Sequence, residues 1–167
     1  MNAIVMTDKN WGIGKNGSLL THIPEDMKFF KEKTIGNIVV MGRKTFESLP
    51  NHQPLRHRLN IIISANHEYK GDNVITLKSI DELLDYIYFH HRKDVYVMGG
   101  GSIYKELLKY CDSCYITKVD HEYDADTFFP NIDEMKNWKC ESKSDDFIYD
   151  SLRYAFYTYK NQERILL

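Results

Sequence analysis

The sequence predicts one α/β domain spanning 1–167: a central, mixed but mostly parallel eight-stranded sheet, four flanking helices and a C-terminal antiparallel hairpin. Two observations carry this. Strand-like and helix-like stretches alternate until about residue 120, after which only strands follow. The runs Asn37-Ile38-Val39-Val40-Met41-Gly42 and Asn60-Ile61-Ile62-Ile63-Ser64 are apolar without a break. Such runs suit strands covered on both faces, as in a mostly parallel sheet. The length, 167 residues, fits one domain that buries enough surface to need no staples.

The strands read at 2–7, 37–42, 59–64, 73–77, 95–98, 113–120, 138–144 and 153–160, as β-branched or aromatic runs bounded by Gly, Pro, Asn or Asp. The helices read at 24–33, 43–49, 79–90 and 102–110. The third opens on a capping box, with Ser79 as N-cap and Glu82 three residues on.

Composition closes off several classes of function. With 22 Lys and Arg against 24 Asp and Glu the formal charge is −2, which gives no attraction to a phosphodiester backbone. No apolar run approaches the length of a membrane helix, and residues 1–8 read as a strand rather than a signal peptide. Three cysteines make no disulfide framework, and the expected setting is the reducing cytoplasm. No cluster with metal-ligand spacing and no GxSxG elbow is present.

Four constellations remain. Gly12-Ile13-Gly14-Lys15-Asn16-Gly17 matches GxGxxG literally. A dinucleotide fingerprint needs its last glycine to open a helix, and here the helix starts only at Pro24. The segment reads as a flexible surface loop. Met98-Gly99-Gly100-Gly101-Ser102-Ile103-Tyr104 follows an apolar strand and opens a helix, so bare backbone can meet a phosphate there; a tight packing turn is the alternative. Gly42-Arg43-Lys44-Thr45 offers a second strand-to-helix junction with two cations and a hydroxyl, suited to a ribose 2′-phosphate or simply solvated.

The fourth is Asp26. With about 100° per residue, it falls between Phe30 and Phe29 inside the apolar arc of helix 24–33, while Glu25, Lys28 and Glu32 cluster opposite. A carboxylate facing a core must be paired or bind something polar. The competing reading is a first-turn acid stabilised by the helix dipole, a role that suits Glu25 better. Two other features read as structural. Cys111-Asp112-Ser113-Cys114 sits at a helix C-terminus, which does not activate thiols, so it reads as core packing. His90-His91 ends a helix, where cationic or polar residues belong.

Taken in order and spacing, several segments resemble dihydrofolate reductase from residue 3 to about 160. They are Gly12-Ile13-Gly14, Ile23-Pro24-Glu25-Asp26-Met27, Val40 to Ser48, Pro54-Leu55 with Arg58 and Asn60, Met98 to Gly101 with Tyr104, Tyr115-Ile116-Thr117, and Asp126-Thr127 with Phe129-Pro130. The resemblance implies that fold and hydride transfer from NADPH to 7,8-dihydrofolate. It makes Asp26 the ionisable group at the pteridine and Thr117 its partner. Ile4 and Met98 would present carbonyls at the pocket edge, and Met27, Phe30, Leu49 and Leu55 would wall it. Arg58 would pair with the glutamate tail.

NADPH would lie along Met6, then Gly12, Ile13, Gly14 and Ser18, then Lys44, Thr45 and Ser64, and then Gly99, Gly100, Gly101, Ser102, Ile103 and Tyr104. Arg43, Ser64 and Lys78 would face its 2′-phosphate, and the Gly99–Gly100 peptide would be cis. The resemblance also implies a monomer that takes antifolate-type inhibitors and no metal.

Three positions depart from the family pattern. Leu20-Thr21 replaces a Pro-Trp pair whose tryptophan holds a water near the acid. Ala125 replaces a glycine, and Ala65 replaces a polar partner of the 2′-phosphate. An aminouracil reductase of the same fold is the rival enzyme; Asp26 and Arg58 argue against it. A non-catalytic folate- or nucleotide-binding paralogue is the rival of another class, and Thr117 with Gly99-Gly100 argues against that.

Overall fold

The computed structural model describes residues 1–90 and 93–167. The parallel strands are β1 (Asn2–Thr7), β3 (Ile38–Gly42), β4 (Leu59–Ile63), β5 (Val74–Leu77), β6 (Val95–Val97) and β7 (Ser113–Val119). They lie in the order β7-β1-β6-β3-β4-β5, each parallel to its neighbour. β11 (Leu152–Asn161) adds antiparallel to β7. Its free edge takes both β9 (Trp138–Lys143) and β10 (Phe147–Tyr149) end to end, so nine strands occupy eight positions across the sheet. The expected eight-stranded mixed sheet is thus present, with its last antiparallel edge broken in two.

Three short strands escaped the sequence reading. β10 joins β11 through Asp150 and Ser151, both at positive φ, the backbone a two-residue hairpin turn requires. β2 (Gly12–Gly14) pairs with β8 (Thr127–Phe128) in a separate two-stranded sheet. The expected loose glycine loop is therefore anchored at its start by main-chain pairing.

Side chains alternate between the two faces of the large sheet. Ala3, Val5, Ile38, Val40, Ile61, Val95 and Val97 pack on one side with Leu83 and Ile87 of α3 (Ile80–His90) and with Ile103 and Leu107 of α4 (Gly101–Leu107). Ile4, Val39, Met41, Ile62 and Tyr96 pack on the other with Phe46 of α2 (Arg43–Glu47) and the half-buried Phe29 and Phe30 of α1 (Pro24–Thr34). Both faces are covered, as the uninterrupted apolar runs required.

α1 begins at Pro24, preceded by Ile23 in the extended conformation that a following proline favours. α2 stops before its expected end at 49, because Pro50 likewise holds Leu49 extended. α4 gives way to a 3-10 turn over Leu108–Tyr110. At α3, Ser79 Oγ accepts the Glu82 N–H at 3.2 Å. The Glu82 carboxylate reaches one residue further back than a capping box requires, to the Lys78 N–H at 2.7 Å. Cys111 and Cys114 are fully buried free thiols, held above the usual thiol range by burial, as packing residues are. His90 pairs its Nδ1 with the Tyr86 carbonyl at 3.1 Å; His91 lies outside the described residues.

Candidate active site

α1 lays Asp26 beside β7, where the Thr117 hydroxyl donates to its Oδ1 at 2.6 Å. Thr117 is buried, and the two residues are 91 apart in sequence. Burial pushes the Asp26 carboxyl above the usual carboxylate range; the Thr117 hydrogen bond and the His22 charge pull it back. Asp26 thus occupies the apolar side of α1, as its helical phase predicted. Met27 is 42% exposed, whereas Phe30, Leu49, Leu55 and Met98 pack around the α1-side core.

Arg58 stands at the far end of the same helix. Its Nη1 donates to Thr34 Oγ1 at 3.0 Å and its Nε to the Arg56 carbonyl at 3.1 Å, and the guanidinium lies 5.9 Å from the Phe30 ring centre. The loop carrying Leu55 and Arg58 is held by Asn60, whose buried amide donates to the carbonyls of Leu55 and Arg58 and accepts the Leu55 N–H. Every polar atom of that side chain is satisfied, so this loop is pinned from beneath.

The ends of four adjacent parallel strands converge on the second group of predicted residues. Arg43, Ser64 and Lys78 follow β3, β4 and β5 directly, and the glycines follow β6 after Met98. Ligands of open parallel sheets bind outside these carboxyl ends. The Gly99–Gly100 peptide is cis, and the Gly42 N–H donates to Gly99 O at 2.8 Å. A Cβ at Gly99, where φ is +118°, would stand 3.3 Å from the Tyr104 ring; one at Gly100 would stand 3.3 Å from Thr45 Oγ1. Lys44, Lys78 and Ser102 are exposed, and Ile103 is buried in the core behind α4.

Tyr104 joins the two groups. Its buried hydroxyl donates to the Ile4 carbonyl at 2.7 Å, and burial holds its pKa far above the usual value, so it stays a neutral donor. Met6 packs with Ile23, Val119 and Tyr154. Of the predicted loop residues, Gly12 and Gly14 pair with β8, Ser18 exchanges backbone hydrogen bonds with Lys15, and Ile13 turns its side chain into the core shared with Trp11 and Phe129.

Two residues at this site went unnoticed in the sequence. Glu47 holds Arg43 Nη1 at 2.9 and 3.1 Å, and the Tyr69 hydroxyl donates to the same carboxylate. The Arg43–Glu47 spacing of four was a readable helical ion pair; Tyr69, 22 residues from Glu47, gave no such signal. Ser64 Oγ also accepts the His67 N–H at 3.1 Å, which fixes the turn after β4.

A family model described as dihydrofolate reductase matches residues 1–161. A bifunctional dihydrofolate reductase-thymidylate synthase of Arabidopsis thaliana is 37% identical over 93% of this chain, which spans only 30% of that protein's length. The dihydrofolate reductase of Bacillus subtilis (strain 168) is 38% identical, with 83% of this chain and 80% of that protein covered. A solved dihydrofolate reductase from Enterococcus faecalis, complexed with NADP(H) and RAB-propyl, superposes with a TM-score of 0.84 at 35% identity, covering 96% of this chain and 95% of its own. The family model thus runs along nearly all of a chain whose fold and buried acid had already been expected of it, and the chain belongs to the dihydrofolate reductase family.

Proposed function

We propose that the chain, as one domain over 1–167, reduces 7,8-dihydrofolate to 5,6,7,8-tetrahydrofolate with NADPH. The observation that carries this reading is the Asp26–Thr117 pair, a half-buried carboxyl whose single described hydrogen bond leaves its other oxygen free. A carboxylate so placed accepts from a 2-amino group and a ring N–H together. Its negative charge beside the ring stabilises the protonated substrate, which takes up a proton at N5 from water. Arg58, held by Thr34 and its own loop, pairs with the tail's α-carboxylate; Met27, Phe30, Leu49 and Leu55 wall the ring system between. Ile4 and Met98 contribute carbonyls at the edge.

The residues present fit the cofactor. The turn after β6 is bare backbone where added side chains would press on Tyr104 and Thr45. Arg43, Ser64 and Lys78 gather at neighbouring strand ends for the 2′-phosphate. Met6, Gly12, Ile13, Gly14, Ser18, Lys44, Thr45 and Gly99 to Tyr104 complete the contacts. NADPH supplies the hydride when bound; the chain holds the substrate and fixes the charge.

The same cleft takes antifolate-type inhibitors. The chain works as a monomer, and its three free cysteines suit the cytoplasm. The test is loss of NADPH absorbance with dihydrofolate, with the aminouracil substrate, and with neither. Consumption with dihydrofolate alone is expected; consumption with the aminouracil, or with no substrate, overturns the reading.

A further inference from the structure

Asp8 is a carboxylate at the end of β1 that the proposed chemistry does not use, and it is 4% exposed. Both of its oxygens face main-chain donors. Oδ1 accepts the N–H of Gly12 at 2.7 Å and of Asn10 at 2.9 Å; Oδ2 accepts the Tyr123 N–H at 3.0 Å. One side chain therefore ties the start of the 9–18 segment to the strand-loop segment that follows β7. The packing around it leaves no slack. A Cβ added at Gly12 would lie 2.6 Å from Ala125 Cβ and 3.0 Å from each Asp8 oxygen, so the carboxylate and Ala125 close on a residue that must be glycine.

Further out the same two segments are joined by exposed or main-chain bonds. Lys9 N–H meets His121 O at 3.0 Å, Phe129 N–H meets Trp11 O at 2.9 Å, and Asn16 N–H meets Asp126 Oδ2 at 2.8 Å. Among these contacts only Asp8 supplies a buried charge that takes three N–H groups. Bonds to a charged acceptor are about twice as strong as neutral ones, and more so where water is excluded.

We infer that Asp8 is a positioning residue for cofactor binding: its carboxylate, by clamping the N–H groups of Asn10, Gly12 and Tyr123, sets the pose of Gly12 to Ser18. The inference rests on the functional reading above for what that loop contacts. The clamp needs an acceptor on both sides. An amide at this position turns an –NH₂ group toward either Tyr123 or the Gly12 and Asn10 pair, and donor then faces donor. Asparagine therefore preserves shape and breaks the clamp.

The experiment compares wild type with Asp8→Asn by amide hydrogen exchange without ligand, and by binding of NADPH and of dihydrofolate measured separately. Exchange at Gly12 and Tyr123 is expected to quicken about ten- to a hundredfold, while amides of β3 and β4 keep wild-type protection. The dissociation constant for NADPH is expected to rise about tenfold, with that for dihydrofolate changed less than twofold. If Asp8→Asn does not fold, Gly12→Ala, which displaces the carboxylate while keeping it, carries the exchange measurement alone, and Asp8→Ser, which keeps one short acceptor and removes the charge, carries the comparison of the two ligands. Unchanged exchange at Gly12 and Tyr123 overturns the clamp. Loss of protection throughout the sheet, or equal weakening of both ligands, overturns positioning in favour of a general structural role. If wild type binds no NADPH the functional reading fails, while the exchange measurement still decides the clamp.

Discussion

Asp26 and the Gly99–Gly100 turn are built by different means. Around Asp26 the working groups are side chains that other side chains hold: Thr117 on Asp26, Thr34 on Arg58, Asn60 beneath the loop of Leu55 and Arg58. Around Gly99 the working surface is main chain at strand ends, kept bare by close neighbours, with Arg43 already paired to Glu47 at its margin. The difference teaches where single substitutions bite. On the proposed reading one side chain carries the chemistry at the first end, and its loss is expected to be large. At the second the proposed function is spread over many peptide groups, and each change is expected to be small.

The sharpest test of the first half is Asp26→Asn. Single-turnover hydride transfer near pH 7 is expected to fall about 100- to 10,000-fold, with partial recovery in acid and unchanged NADPH binding. Stability should move the other way. A carboxyl whose folded pKa lies above its unfolded value, about 3.9 for Asp, costs stability as pH rises through that interval. The variant should therefore melt above wild type at pH 7, and the difference should vanish below pH 3 or so. Near-normal rates at neutral pH would place the chemistry on another residue.

Arg58→Leu comes next. Two charge-assisted bonds to a tail carboxylate are worth about 3 kcal/mol, so KM for dihydrofolate should rise roughly a hundredfold. KM for a pterin without the tail should stay put, because that contact never existed. If both substrates suffer alike, the Thr34 and Arg56 hydrogen bonds are the whole of Arg58's role.

What could be read in the sequence follows the same division. Asp26 was legible because a helix has a period and an acid in its apolar arc violates it. The strand ends were legible because uninterrupted apolar runs mark buried parallel strands. Thr117 came only through the family resemblance, since nothing local links it to a residue 91 positions away. The clamp at Asp8 was equally silent: its three partners are main-chain N–H groups, which carry no side-chain signature. β2 and β8 were hidden by length and glycine, which weakens any strand reading. β10 was not hidden. Phe147-Ile148-Tyr149 before Asp150-Ser151 is an apolar run ahead of a two-residue turn, although the pair lacks the glycine such turns favour.

On the cofactor side, Arg43→Ala should weaken NADPH about tenfold, the low end of what one charge-assisted contact gives, because Ser64 and Lys78 remain. NADH, which has no 2′-phosphate, should be unaffected. Binding constants for both cofactors measure this, and equal wild-type affinities would sink it. The ion pair with Glu47 sharpens the point: Glu47→Gln frees the guanidinium, so its effect should appear with NADPH alone.

The smallest effect belongs to Gly42→Ala, and it tests whether the cofactor end is built from backbone. Gly42 has φ of −77° and ψ of 161°, open to any residue, so no strain arises from the main chain. The added Cβ would instead stand 3.1 Å from Ile103 Cγ1, closer than most such contacts, with the Gly100 nitrogen at 3.9 Å. Ile103 is buried on α4, directly after the glycine turn, so a shift of Ile103 presses on that turn. Overpacking of this kind costs about 1–3 kcal/mol of stability. If a third to a half of that is felt at the turn, NADPH affinity drops roughly twofold to twelvefold. Dihydrofolate affinity should hold, since Asp26 and Arg58 hang on α1 and the loop above β4. Gly71→Ala is the control: its Cβ would meet only Val74 Cγ2 at 3.6 Å, an ordinary contact, and both affinities should match wild type. Melting curves and separate titrations of the two ligands read the outcome. A Gly42→Ala protein that loses both ligands equally would mean that the two ends move as one, and the division between side-chain and backbone chemistry would fail with it.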